Sequence, residues 1–363
     1  MANPATLGET LAERGITRRQ LLQFCSLAAA WLALPAGAVR AMASTLERLR
    51  RPSVIWLSFQ ECTGCTESLT RADSPSVEEL ILERISLDYH HTLQAASGKA
   101  AEAARDQAMA VDKGRYLLLV DGSVPLGNPG YSTIAGVDNR TMLAQAAAGA
   151  AAVIAVGTCA AFGGLPMAAP NPTGAVPVSA LIHDKPLINI PGCPPIPAVI
   201  VAVLAHFLTF GRLPELDSQH RPRAFYGESV HDRCYRRPFY DRGLFAESFD
   251  DEGARQGWCL FKLGCKGPTT FNACATLKWN GGVSFPIQSG HGCLGCSEAK
   301  FWDNGSFYAP LSTPIRPAMT QAGIALAAGA AAGAAMAART RRAREQAKKA
   351  HRPLTVDELE GTP

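Results

Sequence analysis

Val54-Ile55-Trp56-Leu57-Ser58-Phe59, followed at once by Gln60-Glu61-Cys62-Thr63-Gly64-Cys65, is a short apolar run that ends in a cysteine pair. A run this short, rich in β-branched and aromatic groups, suits a strand covered on both faces. The pattern recurs in Tyr116-Leu117-Leu118-Leu119-Val120, Val153-Ile154-Ala155-Val156 and Leu187-Ile188-Asn189-Ile190. Helical stretches separate these runs at Val77 to Ser86, Arg140 to Ala150 and Pro197 to Phe210. Strands alternating with helices imply an α/β fold, and residues 50–222 are expected to form a flavodoxin-like, doubly wound parallel sheet domain. Residues 223–312 are rich in aromatic residues, glycine, proline and cysteine, with little periodicity. A region that buries few aliphatic side chains needs another source of order. Seven possible metal ligands in this stretch point to a largely irregular domain held together by its metal.

The two ends of the 363-residue chain differ from this body. Thr17-Arg18-Arg19-Gln20-Leu21-Leu22 precedes an apolar run from Phe24 to Val39 and the small exit Ala41-Met42-Ala43, so residues 1–43 read as a twin-arginine export signal. A short amphipathic helix or an anchor is the blander alternative. At the other end, Ala318 to Ala338 carries no charge and precedes a basic tail, residues 339–363, that includes Arg339, Arg341, Arg342, Arg344, Lys348 and Lys349. The length of 318–338 suits one bilayer crossing at about 1.5 Å per residue. Its alanine- and glycine-rich composition is weak for insertion alone, and an Ala-rich surface linker is the alternative. If it spans, the positive-inside rule places the tail in the cytoplasm and the body outside. With both ends removed, residues 44–338 hold 24 basic and 25 acidic side chains. No polycationic stripe is left for phosphate backbones, which argues against nucleic acid as a partner.

Of eleven cysteines, Cys25 lies in the leader and ten remain in the body. An exported chain with ten cysteines would ordinarily suggest disulfides. A body this long needs no stapling, however, and the twin-arginine route suits a protein that folds around its cofactors before it crosses. In a doubly wound sheet, functional groups gather beyond the carboxyl ends of the strands. Cys62 and Cys65 follow the first apolar run, Cys159 follows Val156, and Cys193 follows Ile190. Four thiolates from three strand ends can share one cofactor, either zinc or a [4Fe-4S] cluster. His231, Cys234, Cys259 and Cys265 form a second set compatible with either. Cys274, Cys293 and Cys296 are three thiolates with no spare cysteine, which suggests a cluster lacking one iron.

On these residues the chain resembles the small, electron-transfer subunit of exported, membrane-associated [NiFe]-hydrogenases over roughly residues 50–312, with all eleven ligand positions filled in order. The resemblance implies that Cys62, Cys65, Cys159 and Cys193 hold a proximal [4Fe-4S] cluster. It assigns His231, Cys234, Cys259 and Cys265 to a distal [4Fe-4S] cluster, and Cys274, Cys293 and Cys296 to a medial [3Fe-4S] cluster. The irregular domain 223–312 is thereby expected to be an iron-sulfur domain. Pro286 matches the proline that stands at the missing fourth-ligand position. Oxygen-tolerant relatives carry two extra cysteines where this chain has Gly64 and Gly164, so an oxygen-sensitive enzyme is expected.

The same resemblance places the nickel-iron centre in a partner large subunit. It implies a haem-b-type membrane electron acceptor, and a location on the periplasmic side of the inner membrane. Hydrogen would be oxidised in the partner, and no catalytic residue is expected in this chain. Glu61 and Glu67 suit proton movement, interface contacts or ordinary solvation; His90 and His91 suit packing or the subunit interface. His291 is not needed to complete any cluster. Two rivals remain: a subunit of the complex I type, which has no use for the ligands from His231 to Cys296, and an exported binding protein stabilised by disulfides or zinc.

Overall fold

The computed structural model describes residues 17–31, 34–35, 37–48, 51–311 and 340–342. Two units are distinguished, Met1–Ser312 and Thr313–Pro363, and of the second only the helical residues 340–342 are described. The expected spanning segment 318–338 lies outside the described residues; among those described, no helix is long and apolar enough to cross a membrane.

The first unit opens with α1 (Arg18–Trp31) and α2 (Ala38–Arg48). The start of α1 is written in Thr17-Arg18-Arg19-Gln20: the Gln20 side chain accepts from the Thr17 amide at 2.8 Å, and the Gln20 amide reaches Thr17 Oγ1 at 3.4 Å. This is a reciprocal cap of the T-x-x-Q kind. Leu21, Phe24, Cys25 and Ala28 follow at helical spacing and form one buried stripe.

The sheet begins with β1 (Ser53–Ser58), whose side chains are nearly all buried, as the apolar run demands. Next come α3 (Gly64–Thr70), β2 (Ser86–Tyr89), α4 (Gly98–Val111), β3 (Leu117–Asp121) and α5 (Asn139–Ala148). The layer closes with β4 (Ala152–Val156), α6 (Gly157–Phe162), β5 (Leu187–Ile190) and α7 (Pro197–Phe210). All four pairings are parallel, and the strand order is β2-β1-β3-β4-β5. That is the flavodoxin-like order.

Residues in register across the sheet, such as Leu57, Val120 and Ala155, point to one core layer with α4 and α5. Their neighbours Trp56, Leu119 and Ile154 point to the other layer, with α7 and α1. The period of two in the strands is thus read by helices on both faces. Pro197 opens α7, and Gly211, in the left-handed region at φ 61°, closes it.

After α3 the structure departs from the sequence expectation. The helix anticipated from Val77 to Ser86 is a single α-turn, Val77–Glu79, followed by a π-turn, Leu80–Arg84, after which the chain leaves as β2. A Ser76–Glu79 capping box starts this segment, but the wider π spiral ends it at Arg84.

Residues after α7 form short turns around a small core of Val230, Cys234, Ala246, Leu260, Cys265, Phe285 and Ile287. Arg221 joins this part to the sheet. Its buried guanidinium bridges Asp217 at 2.7 Å and Glu298 at 3.1 Å and lies over the rings of Tyr226 and Phe271. Glu298 in turn accepts from the Phe271 amide at 2.7 Å.

Candidate metal centres

The four cysteines of the first set, Cys62, Cys65, Cys159 and Cys193, lie where the topology sends them, beyond the carboxyl ends of β1, β4 and β5. Thr63, at φ 67°, turns the chain sharply into α3, and Cys65 sits buried in the first turn of that helix. Gly157 follows β4 at φ +85°, and a Cβ there would stand 2.3 Å from Cys65 Sγ. Only glycine lets these two strand ends close on each other. A Cβ at Gly64 would meet Cys62 Sγ at 3.2 Å, and one at Gly164 would meet Cys159 Sγ at 2.6 Å. Cys193 is carried in by the β5 loop, which is tied to the β4 loop twice: the Thr158 amide donates to Gly192 O, and the Gly192 amide donates to Thr158 Oγ1, each at 2.9 Å.

Burial pushes the Cys65 thiol well up, and the nearby Asp121, Cys159, Cys193 and Cys62 add to the effect. Burial, then the charges of Cys62, Asp121 and Glu61, pushes Cys159 up to about 11, and burial, then those of Cys159, Cys296 and Cys62, pushes Cys193 up to about 12. Thiols held in their protonated form in this way, Cys65, Cys159 and Cys193, are poor anions by themselves. A cationic centre would turn them into ligands with release of their protons.

In the second set, His231 is 7% exposed, and its Nε2 has no hydrogen-bond partner among the described residues. Burial lowers its pKa, so the ring is a neutral donor atom rather than a cation. Tyr240 packs edge-on against it with centroids 4.5 Å apart. The His231 amide donates to Gly267 O at 3.2 Å, and a Cβ on Gly267 would meet Cys265 Sγ at 3.4 Å, so backbone contact sets the histidine beside that thiol. Burial, followed by the charges of Cys265 and Cys234, pushes Cys259 up to about 12. A buried, unpartnered imidazole nitrogen beside three buried thiols fits a metal cluster.

The third set, Cys274, Cys293 and Cys296, lines a cavity of about 420 Å³. Pro286 stands in the same wall, with Trp279, Phe285 and Ile287. Three thiols, an apolar lining and a proline, which carries no donor side chain, fit a three-ligand cluster. Among the described residues, no three His, Cys, Asp or Glu side chains converge tightly enough to hold a single metal ion.

The three sets form a chain in space. Cys193 lines the cavity of the third set, and Thr158 Oγ1 donates to the carbonyl of Cys296. At the far side, the Cys293 amide donates to Cys265 Sγ at 3.3 Å. The spatial order is therefore first, third, second, although the sequence order is first, second, third. Sequence reading did not single out Thr158, which links two sets, or the buried Asp121 beside Cys65. Their adjacency to a ligand loop and a strand end was the available signal. His90 proves fully buried, whereas His91 is exposed.

Residues 226–309 match the family profile that describes the C-terminal part of the NiFe/NiFeSe hydrogenase small subunit, and residues 62–207 match NADH ubiquinone oxidoreductase, 20 Kd subunit. The uptake hydrogenase small subunit of Rhizobium leguminosarum bv. viciae is 48% identical, over 96% of this chain and 100% of that protein. The corresponding protein of Azotobacter vinelandii is 51% identical, over 86% of this chain and 88% of its own length. A crystal structure of a reduced, active Ni-Fe-Se hydrogenase from Desulfomicrobium baculatum superposes with a TM-score of 0.68 at 35% identity, covering 72% of this chain and 100% of that one. The NADH ubiquinone oxidoreductase match is confined to the sheet region, whereas the hydrogenase small-subunit match spans the candidate ligands from His231 to Cys296. The chain belongs to the [NiFe]-hydrogenase small-subunit family.

Proposed function

We propose that this small subunit relays electrons released by hydrogen oxidation in its large-subunit partner, by way of three iron-sulfur clusters, to a membrane acceptor. The observation that carries the reading is the spatial order of the three ligand sets. Cys62, Cys65, Cys159 and Cys193 would hold the proximal [4Fe-4S] cluster and Cys274, Cys293 and Cys296 the medial [3Fe-4S] cluster, with Pro286 at its missing ligand position. His231, Cys234, Cys259 and Cys265 would hold the distal [4Fe-4S] cluster. When bound, the clusters supply one-electron carriers between the partner's nickel-iron centre and the acceptor. The protein's part is to keep them close: Thr158 ties the first site to the third, and the Cys293 amide ties the third to the second. His231, neutral where the other ligands are thiolates, leaves less negative charge on the distal cluster and suits an exit position.

Electron paramagnetic resonance on the anaerobically purified complex tests this directly. A near-isotropic three-iron signal in the oxidised state is expected, and zinc without labile sulfide would overturn the reading.

Gly64 and Gly164 abut the sulfurs of Cys62 and Cys159, where a further thiol would touch the proximal site. Their lack of side chains supports an oxygen-sensitive enzyme with a standard proximal cluster; sustained hydrogen oxidation in air would contradict it. Residues 1–43 would direct export by the twin-arginine route to the periplasmic side of the inner membrane. Residues 318–338 would anchor the complex beside a haem-b-type acceptor, with 339–363 in the cytoplasm. A chain ending at residue 312 is expected to leave the complex active with a soluble dye but released from the membrane fraction.

A further inference from the structure

We propose that, in the chain before export, helix α1 is docked on the folded body and that this contact withholds the apolar core of the export signal. The inference rests on reading residues 1–43 as that signal.

The helix is divided by exposure. Arg18 and Arg19 are exposed, while Leu21, Cys25 and Ala28 are at most 1% exposed, and Phe24 is buried with them. These side chains join the core layer that also holds Ile200, Val203 and Leu204 of α7. The body offers α1 more than an apolar face. Arg84, the last residue of the π-turn, puts its guanidinium carbon 5.2 Å from the centroid of the Phe24 ring. That cation is only 4% exposed, and its Nε and Nη1 have no hydrogen-bond partner among the described residues. Cys25, Glu79 and Glu83 all lie within its electrostatic reach.

Burying an arginine with unpartnered nitrogens opposes the contact, while the ring and the apolar stripe favour it. Opposed terms of this kind make a latch that opens readily rather than a permanent part of the core. An apolar segment already covered by its own protein is not available to a lipid surface or an export receptor, although the arginine pair in front of it remains in view.

The test follows Cys25 in the full-length chain, held in cells whose export is blocked. Alkylation of Cys25 by N-ethylmaleimide, read peptide by peptide in a mass spectrometer, is expected to be at least tenfold slower than in the urea-unfolded chain. Equal rates would overturn the docking. Phe24→Ala is expected to bring the rate most of the way to the unfolded value. Amide exchange at residues 80–84 and 197–210 gives a cysteine-independent readout: it is expected to be slower in the full-length chain than in one lacking residues 1–43, and equality would again overturn the docking.

Arg84→Asp leaves the leader sequence intact and sets a negative charge beside Glu79 and Glu83. With iron content unchanged, it is expected to raise Cys25 labelling and to speed export of the chain made without its partner. Labelling that rises with no change in export would overturn the withholding. The combined Arg18→Lys and Arg19→Lys change separates the two readings, since it is expected to stop export and leave Cys25 protection as it was. Continued export would sink the twin-arginine reading alone.

Discussion

At the residue scale, two buried positions decide chemistry by what they exclude. Gly157 lies in the left-handed region with Cys65 Sγ in the space a Cβ would take. On the proposed cluster assignment, Gly157→Ala is therefore expected to cost the chain roughly four iron atoms, one [4Fe-4S] cluster, while a medial three-iron signal persists. Iron analysis with electron paramagnetic resonance checks both halves. His90 is held neutral from both ends of its ring. Nδ1 accepts from the amides of Thr92 at 3.0 Å and Leu93 at 3.3 Å, so the proton sits on Nε2, 3.4 Å from Thr66 Oγ1. Trp56 packs against the ring at 5.1 Å, and burial, then His91, takes its pKa down to about 4. The unfolded chain takes up a proton at this histidine near the ordinary value of about 6.5, and the folded chain does not. Stability from this residue is thus complete above pH 6.5 and is lost as pH falls toward 4, by about 3 kcal/mol in all. His90→Asn keeps an acceptor near the Nδ1 position and removes the titration, so its melting temperature should fall less between pH 7 and pH 5 than that of the native chain.

At the element scale, the sheet is sensitive where β1 and β3 leave it together. Gly122, at φ +85° just after β3, would place a Cβ 2.8 Å from the backbone N, C and O of Gln60. Backbone cannot swing aside as a side chain does. Gly122→Ala should cost about 1–3 kcal/mol, seen as a lower melting temperature of the loaded complex. The inner strands were legible in the sequence because each is an apolar run buried on both faces, and the cysteines after β1, β4 and β5 marked the functional edge. Strand β2 was not legible: Ser86-Leu87-Asp88-Tyr89 is a half-buried edge strand with no apolar run, and it follows a segment whose capping box and apolar spacing promise a longer helix. Helix α4 escaped for a related reason, since its buried residues are Ala101, Arg105 and Ala108, too small or too polar to announce a face. The proposed membership of the ligand sets rests on family likeness and spacing. Their order in space was implied by that likeness, which makes the third set medial, but not by the residues alone, because it depends on two loop contacts, Thr158 with Cys296 and Cys293 with Cys265, between residues far apart in the chain.

At the scale of the whole molecule, the two parts of the body draw their stability from different sources. The sheet has two full layers of aliphatic packing, whereas the core of the second part comprises seven buried residues, two of which, Cys234 and Cys265, are ligand candidates. Removing iron by anaerobic chelation should therefore loosen residues 223–312 first. Limited proteolysis of the stripped chain is expected to cut there while a fragment carrying the sheet survives, and equal resistance in both forms would contradict this account. The interleaving of the sites also sets a timetable for biosynthesis. Cys193 follows Cys62 by 131 residues, so at about 5–20 residues per second the first ligands wait roughly 7–26 s for the one that completes their set. Cys296, which closes the middle site, leaves the ribosome later still. The export signal proposed at residues 1–43 would be finished before any of the three sets is complete. Cofactor insertion at the first site therefore has to wait until more than half of the chain is made, and quality control has to act on a polypeptide of at least that length.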